Sequence, residues 1–258
     1  MRENHPKALA VAAHPDDIEF MMAGTLLALA DAGYELHCMN VANGSCGTAD
    51  RDRDAIVAVR GEEARLSAAV RGATLHAPLV DDLQIYYTPA LAARLCSVVR
   101  RVNPAVLLVP SPHDYMEDHT ISARLAVTAA FCRNMRNFAT DPPAPPVSGD
   151  VALYHALPWG LKDQLRRPVR ADLYVDIAGA MEKKRRALAC HRSQKEWLDR
   201  SQGFDSYLRA MDEMSAAVGQ MSGRFRYAEG WQRHNALGFA AEDFDPLRGA
   251  LRDLVFCP

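Results

Sequence analysis

Two stretches of this chain are apolar without polar alternation, and they limit the fold more than any other feature. Residues 7–13 read KALAVAA and residues 105–110 read AVLLVP. A strand with one face in water alternates apolar and polar side chains. A strand without alternation is covered on both faces, as in a parallel sheet between two layers of helices. Residues 35–41 (ELHCMNV) and 73–79 read as two further strands. Helical spacing runs from about Glu19 to Ala32, Arg51 to Val70, Pro89 to Arg101 and His119 to Phe138. Gly33 suits the position just past the first helix, Pro89 suits a first helical turn, and Asn103-Pro104 ends the third helix. The order β-α-β-α-β-α-β-α predicts an α/β fold on a doubly wound, mostly parallel sheet.

Beyond a proline-rich loop at 140–149, VALYHALP and ADLYVDI read as strands, followed by helices over Ala178–Gln194 and 205–217. The expected partition is a main domain at 1–195 and a smaller C-terminal α+β extension, largely helical, at 196–258 that packs on or beside it. A length of 258 residues suits that size. The net charge of −2 carries none of the basic excess that nucleic-acid binding favours. No run of about 18 apolar residues predicts a membrane span. The N-terminal MRENHPKAL lacks an apolar signal core, so a cytoplasmic location is expected. The six cysteines form no CxxC pair and read as reduced, buried small hydrophobes rather than as disulfides or zinc ligands.

In an open α/β sheet, ligands bind outside the carboxyl ends of the strands. His14-Pro15-Asp16-Asp17 stands at that point after the first strand, and PSPHDYMEDH (110–119) stands there after another. An imidazole and a carboxylate three residues apart turn toward one point if the chain enters a helical turn. Asp16 then projects differently from Asp17, which separates a carboxylate for a metal from one for proton transfer. Taken alone, the first motif reads as a helix N-cap and the second as a solvated loop. Two such clusters, each just past a buried strand, favour function. A catalytic zinc takes three nitrogen or oxygen ligands and a water. His14, Asp17 and His119 would hold one Zn2+ per chain. Two neutral imidazoles and one carboxylate leave the site net positive, which favours ionising water near neutral pH. Iron or cobalt tolerates the same donors.

With AHPDD after the first strand and Asp118-His119 opening a later helix, the chain resembles the LmbE-like or PIG-L deacetylase family. Asn43-Gly44, the Arg60-x-x-Glu63 pair and His191-Arg192-Ser193-Gln194 agree with that resemblance, which spans residues 7–195. It implies a Rossmann-like LmbE fold and a zinc hydrolase that removes acetyl from N-acetylglucosamine units of small conjugates. It also implies His14, Asp17 and His119 as ligands and Asp16 as the base that deprotonates the attacking water. Asp118 would be an orienting carboxylate, and Arg60 would face the substrate. One departure stands out. Where many members read HPDH, this chain reads Met116-Glu117-Asp118-His119, and Met116 cannot donate a proton. His113 ranks first as the replacement donor, His155 second and Tyr115 third.

The expected reaction is hydrolysis of an acyl group, acetyl above all, from the amide nitrogen of an amino sugar or similar small molecule. An amidase of thiol conjugates, or a relative that binds metal or sugar without hydrolysis, would use the same residues. A nucleotide-binding Rossmann protein is disfavoured, because neither G-x-G-x-x-G nor a P-loop is present. Tyr86, Tyr87, Tyr154 and Trp159 could stack on a sugar, with ordinary core packing the simpler reading. His191 reads as a helix C-terminal residue bonded to backbone. Residues 196–258 could serve an interface in a homo-oligomer.

Overall fold

The structure is a computed structural model that describes residues 5–202 and 206–258. In chain order its main elements are β1 (Lys7–Ala12), α1 (Asp17–Met21), α2 (Ala23–Asp31), β2 (Glu35–Asn40), α3 (Arg53–Arg71), β3 (Thr74–His76), α4 (Pro89–Val102), β4 (Val106–Val109), α5 (Glu117–Phe131), β5 (Ala152–Ala156), β6 (Leu173–Asp176), α6 (Met181–Leu188), α7 (Arg192–Gln202), α8 (Ser206–Ser222), β7 (Ala228–Arg233), α9 (Pro246–Leu251) and β8 (Val255–Phe256). Among the described residues the strands form one sheet in the order β3-β2-β1-β4-β5-β7-β6-β8. The first five pair in parallel, and β7, β6 and β8 join antiparallel. The chain therefore has the α/β, mostly parallel architecture that its sequence predicts.

The lack of alternation in β1 and β4 has a direct physical counterpart. Ala8, Ala10 and Ala12 of β1, with Val106 and Leu108 of β4, enter one apolar cluster. Leu9 and Val11, with Leu107 and Val109, enter the other, on the opposite face of the sheet. Every one of these side chains is fully buried. Each buried Val or Leu contributes about 1.5–3 kcal/mol relative to exposure.

The single helix expected over 19–32 is two helices, broken at Met22 (φ −134°). The reason is a competition for backbone groups. In an unbroken helix Gly24 N–H would bond the Phe20 carbonyl. Instead Gly24 N–H and Thr25 N–H donate to Glu229 Oε1 and Oε2 at 2.8 and 2.7 Å, and the Phe20 carbonyl accepts from Lys184 Nζ at 3.0 Å. The helix expected over 178–194 likewise divides into α6 and α7. Ser193, at the start of α7, donates its backbone N–H and hydroxyl to the two oxygens of Glu63 at 2.8 and 2.7 Å. The helix expected to reach Phe138 ends at Phe131.

The partition expected at 195/196 does not coincide with a break in the sheet. β7 comes from the last part of the chain, yet it lies between β5 and β6. Sequence patterning missed it, as it missed the two-residue β8, because AEGWQR places a carboxylate and a glycine where a strand normally carries apolar residues. Glu229 is buried because it has work there: it caps α2 and pairs with the fully buried Lys184 at 2.5 Å. Trp231, next on the same face, donates its indole N–H to Thr25 Oγ1 at 3.0 Å. Glu229→Ala is expected to cost about 3–5 kcal/mol, because it leaves a buried ammonium without its partner. Denaturant unfolding measures this, and a loss under about 1 kcal/mol would show that water replaces the carboxylate.

Candidate active site

Past the carboxyl end of β1 the chain turns through His14 and Pro15 into α1. Asp16 occupies the N-cap position of α1 with a left-handed backbone (φ 111°), and its side chain caps nothing. A non-glycine residue at positive φ is costly and persists only where its surroundings impose it. The backbone N–H of His14 donates to Asp17 Oδ2 at 2.8 Å, which folds the tetrad onto itself. Past the end of β4, the loop 110–116 delivers His119 to the first turn of α5.

The two loops meet. One ligand atom each from His14, Asp17 and His119 lies within 4.8 Å of the others, a group that could hold a metal ion. Asp17 Oδ2 is 3.6 Å from His14 Nδ1 and 3.4 Å from His119 Nε2. The outer nitrogen of each ring has its own carboxylate. His14 Nε2 is 3.0 Å from Asp118 Oδ2, and His119 Nδ1 is 2.8 Å from Asp114 Oδ1. Such partners fix the tautomer and orientation of a metal-ligating imidazole. Asp118 also accepts the backbone N–H of Leu83 at 2.8 Å, so it ties the loop after β3 to His14.

The electrostatics separate the two adjacent aspartates. Burial pushes the Asp16 carboxyl up, against the pull of Arg60, and Asp17 beside it pushes the same way. Burial would also raise Asp17, but His119 and His14 outweigh it and hold Asp17 well below the usual carboxylate range. For the imidazoles burial opposes charge, yet Asp118 and Asp17 raise His14 to about 9. Asp17 and Asp114 likewise raise His119.

A cavity of about 340 Å³ opens on this group. Asp16, Arg60, Asp82 and Gln194 form its polar wall, and Phe20, Leu83, Tyr115, Met116 and Trp159 its apolar wall. Arg60 is buried and donates to the carbonyls of Pro15 and Gly44, and its Nη2 is 3.7 Å from Asp16 Oδ2. Asp82 accepts the backbone N–H groups of Gly44 and Cys46 at 2.7 and 2.9 Å and so shapes the loop after β2. Gly47 in that loop leaves no room for a side chain, since a Cβ would lie 2.2 Å from Arg60 Nη1 and 2.7 Å from Gln194 Oε1. Cys46, expected to be buried, is exposed on the cavity lining.

The structure brings together His14, Asp16, Asp17, Arg60, Asp118 and His119, but not the two histidines ranked first as proton donors. His113 is exposed and lies off the cavity lining. His155 is buried on β5 between the Pro110 carbonyl and His234 Nδ1, both at 3.0 Å, and burial lowers it to about 4. Tyr115, ranked third, lines the cavity with its ring edge-on to His119. Trp159 lines it as well. Tyr154 is core, donating to Asp245, and Tyr87 bonds Thr128. Neither ring nitrogen of the buried His191 bonds backbone. Sequence reasoning missed three residues: Asp114, Asp82 and Tyr207, whose hydroxyl donates to Asp16 Oδ2 at 2.8 Å. The i, i+5 spacing of Asp114 and His119 was a usable signal; Asp82 and Tyr207 had none.

Residues 9–130 match the profile of the PIG-L family, described as GlcNAc-PI de-N-acetylase. The matched segment is a little under half of the chain. Each of His14, Asp16, Asp17, Arg60, Asp114, Asp118 and His119 falls inside it. Over 237 residues the chain is 29% identical to diacetylchitobiose deacetylase of Thermococcus kodakarensis, covering 87% of this chain and 81% of that protein. It is 26% identical over 203 residues to 4-oxalmesaconate hydratase of Pseudomonas putida, covering 76% of each. Among solved structures, N,N'-diacetylchitobiose deacetylase from Pyrococcus horikoshii superposes with a TM-score of 0.74 at 24% identity, covering 95% of this chain and 89% of that one. The shared fold extends well past residues 9–130.

Within the matched segment, Arg60 and Glu63 of α3 have separate jobs: Arg60 supports the cavity, and Glu63 starts α7. Glu63→Ala is expected to destabilise the protein by about 1–2 kcal/mol, the usual cost of a lost helix cap. Amide exchange should accelerate over 192–202 before the sheet responds; unchanged protection of α7 would show that its start does not depend on Glu63.

Proposed function

We propose that this protein is a zinc-dependent N-deacetylase that hydrolyses the acetamide of an amino sugar or a similar small conjugate. The observation that carries this reading is the donor set: two imidazoles and a carboxylate converging within 4.8 Å, with a carboxylate behind each imidazole. That set fits a catalytic zinc, which takes three such ligands and leaves a position open. A divalent ion there would polarise the substrate carbonyl and make water more acidic. Similarity to a diacetylchitobiose deacetylase supports the substrate class. We place the reaction in the cytoplasm; among the described residues no helix is long and apolar enough to cross a membrane.

The residues of the chain divide the work. Asp16 accepts the proton of the attacking water, and burial has already made its carboxylate a stronger base. The same carboxyl then returns the proton to the departing amine. Tyr115 stands at the cavity wall with its phenol raised to about 12 by burial and by Asp17, so it remains a hydrogen-bond donor at neutral pH. It takes the electrophilic role in place of His113, His155 and Met116, donating to the oxyanion. Arg60 and Asp82 offer charge to sugar hydroxyls, and Phe20 and Trp159 offer ring faces.

A second reading follows from Met116 and from the similarity to a hydratase. Addition of water to a carbon–carbon double bond has no departing amine to protonate; the hydroxyl goes to one carbon, and Asp16 returns the proton it took from water to the neighbouring carbon. Acetate release from N,N'-diacetylchitobiose, set against loss of ultraviolet absorbance from a conjugated unsaturated carboxylate, decides between them.

Asp16→Ala should keep the bound ion and lose about 10²–10⁴ in turnover. His119→Ala should lose both, and a His119→Ala protein with full metal content would refute the ligand set. Metal uptake should depend on pH with a definite sign. His14 is raised to about 9 and His119 is also raised, so at neutral pH an ion must displace their protons. Affinity should therefore rise with pH toward about 9, releasing up to about two protons per ion. Calorimetry in buffers of different ionisation heat measures that number, and zero protons would mean that the ion binds elsewhere.

A further inference from the structure

Asp16 is held by more than its own segment. One of its oxygens, Oδ2, is the meeting point of groups from two distant elements. The hydroxyl of Tyr207, on α8, donates to it at 2.8 Å, and Arg60 Nη2, on α3, is 3.7 Å away. The terminal torsion of an aspartate is soft. Nothing in Asp16 itself therefore decides which oxygen faces the cavity. Tyr207 is itself clamped: it is 2% exposed, and its ring packs edge-on against Phe20 at 5.1 Å. Phe20 in turn meets Trp159 at 4.6 Å. The hydroxyl thus projects from a rigid aromatic stack into the wall of the cavity. A neutral donor suits this place, since it fixes a carboxylate without cancelling its charge.

We propose that Tyr207 is a positioning residue: its hydroxyl holds Oδ2 of Asp16 and so presents Oδ1 to the water that is to be deprotonated. This rests on the reading of Asp16 as proton acceptor. It extends that reading by giving α8, which lies outside residues 9–130, a share in the reaction.

The test is Tyr207→Phe, which removes one oxygen and keeps the aromatic stack. With N,N'-diacetylchitobiose as substrate, kcat should fall about 10- to 100-fold, the effect of losing a hydrogen bond to a charged group. KM and the metal content per chain should not change. A crystal structure of the variant should show the Asp16 carboxylate turned from its parent orientation. An unchanged kcat overturns the proposal, and so does a lowered kcat with Asp16 unmoved, which would make Tyr207 a direct contact of the substrate. Asp16→Asn separates the two levels. If Asp16→Asn keeps full turnover, the role of Asp16 as base falls. If it is inactive while Tyr207→Phe is fully active, only the present inference falls. Should the parent enzyme release no acetate, the deacetylase reading fails, and the two crystal structures still decide whether Tyr207 sets the orientation of Asp16.

Discussion

β1 and β4 have no face available to water and run parallel as neighbours, with Ala8 opposite Val106 and Ala10 opposite Leu108. Their following loops must therefore leave the sheet at the same edge. The meeting of residues 13–17 with 110–119 is a consequence of that burial. The chemistry is placed by the core before any polar residue contributes to it.

Carboxylates then convert proximity into geometry. Asp82 holds the loop after β2, Asp118 joins the loop after β3 to His14, and Glu63 begins α7. Glu229 breaks the first helical stretch at Met22 and so lets α1 be a short turn that carries Asp17. Each accepts backbone N–H groups that have no other partner, so each loop is fixed at the expense of a charge withdrawn from water. Arg71 supports the same region from below through its ion pair with Glu19.

The sequence shows some of this and conceals the rest for physical reasons. Unalternating strands announce a parallel sheet, and a His-Pro-Asp-Asp at the end of one announces a site; both depend on local pattern. The antiparallel half was harder to see, because β7 owes its burial to Glu229 and Trp231 meeting α2, a contact across about two hundred residues. That the two adjacent aspartates project differently was legible, but the left-handed backbone of Asp16 was not. His155 and His113 looked like donors because they are histidines near strand ends. Side-chain direction decided otherwise: His155 turns to His234, and His113 turns outward.

The path of the chain through the sheet bears on how the protein is made. β5 and β6 follow one another in the chain, yet β7 separates them, and among the described residues the strands that pair with β6 are β7 and β8. As the polypeptide emerges from the ribosome, β6 finds no strand to pair with until residues 228–233 have been translated. During that interval β5 presents a bare edge and Lys184 lacks its counter-ion. The parallel half can assemble early; the antiparallel half must wait for residues 228–256.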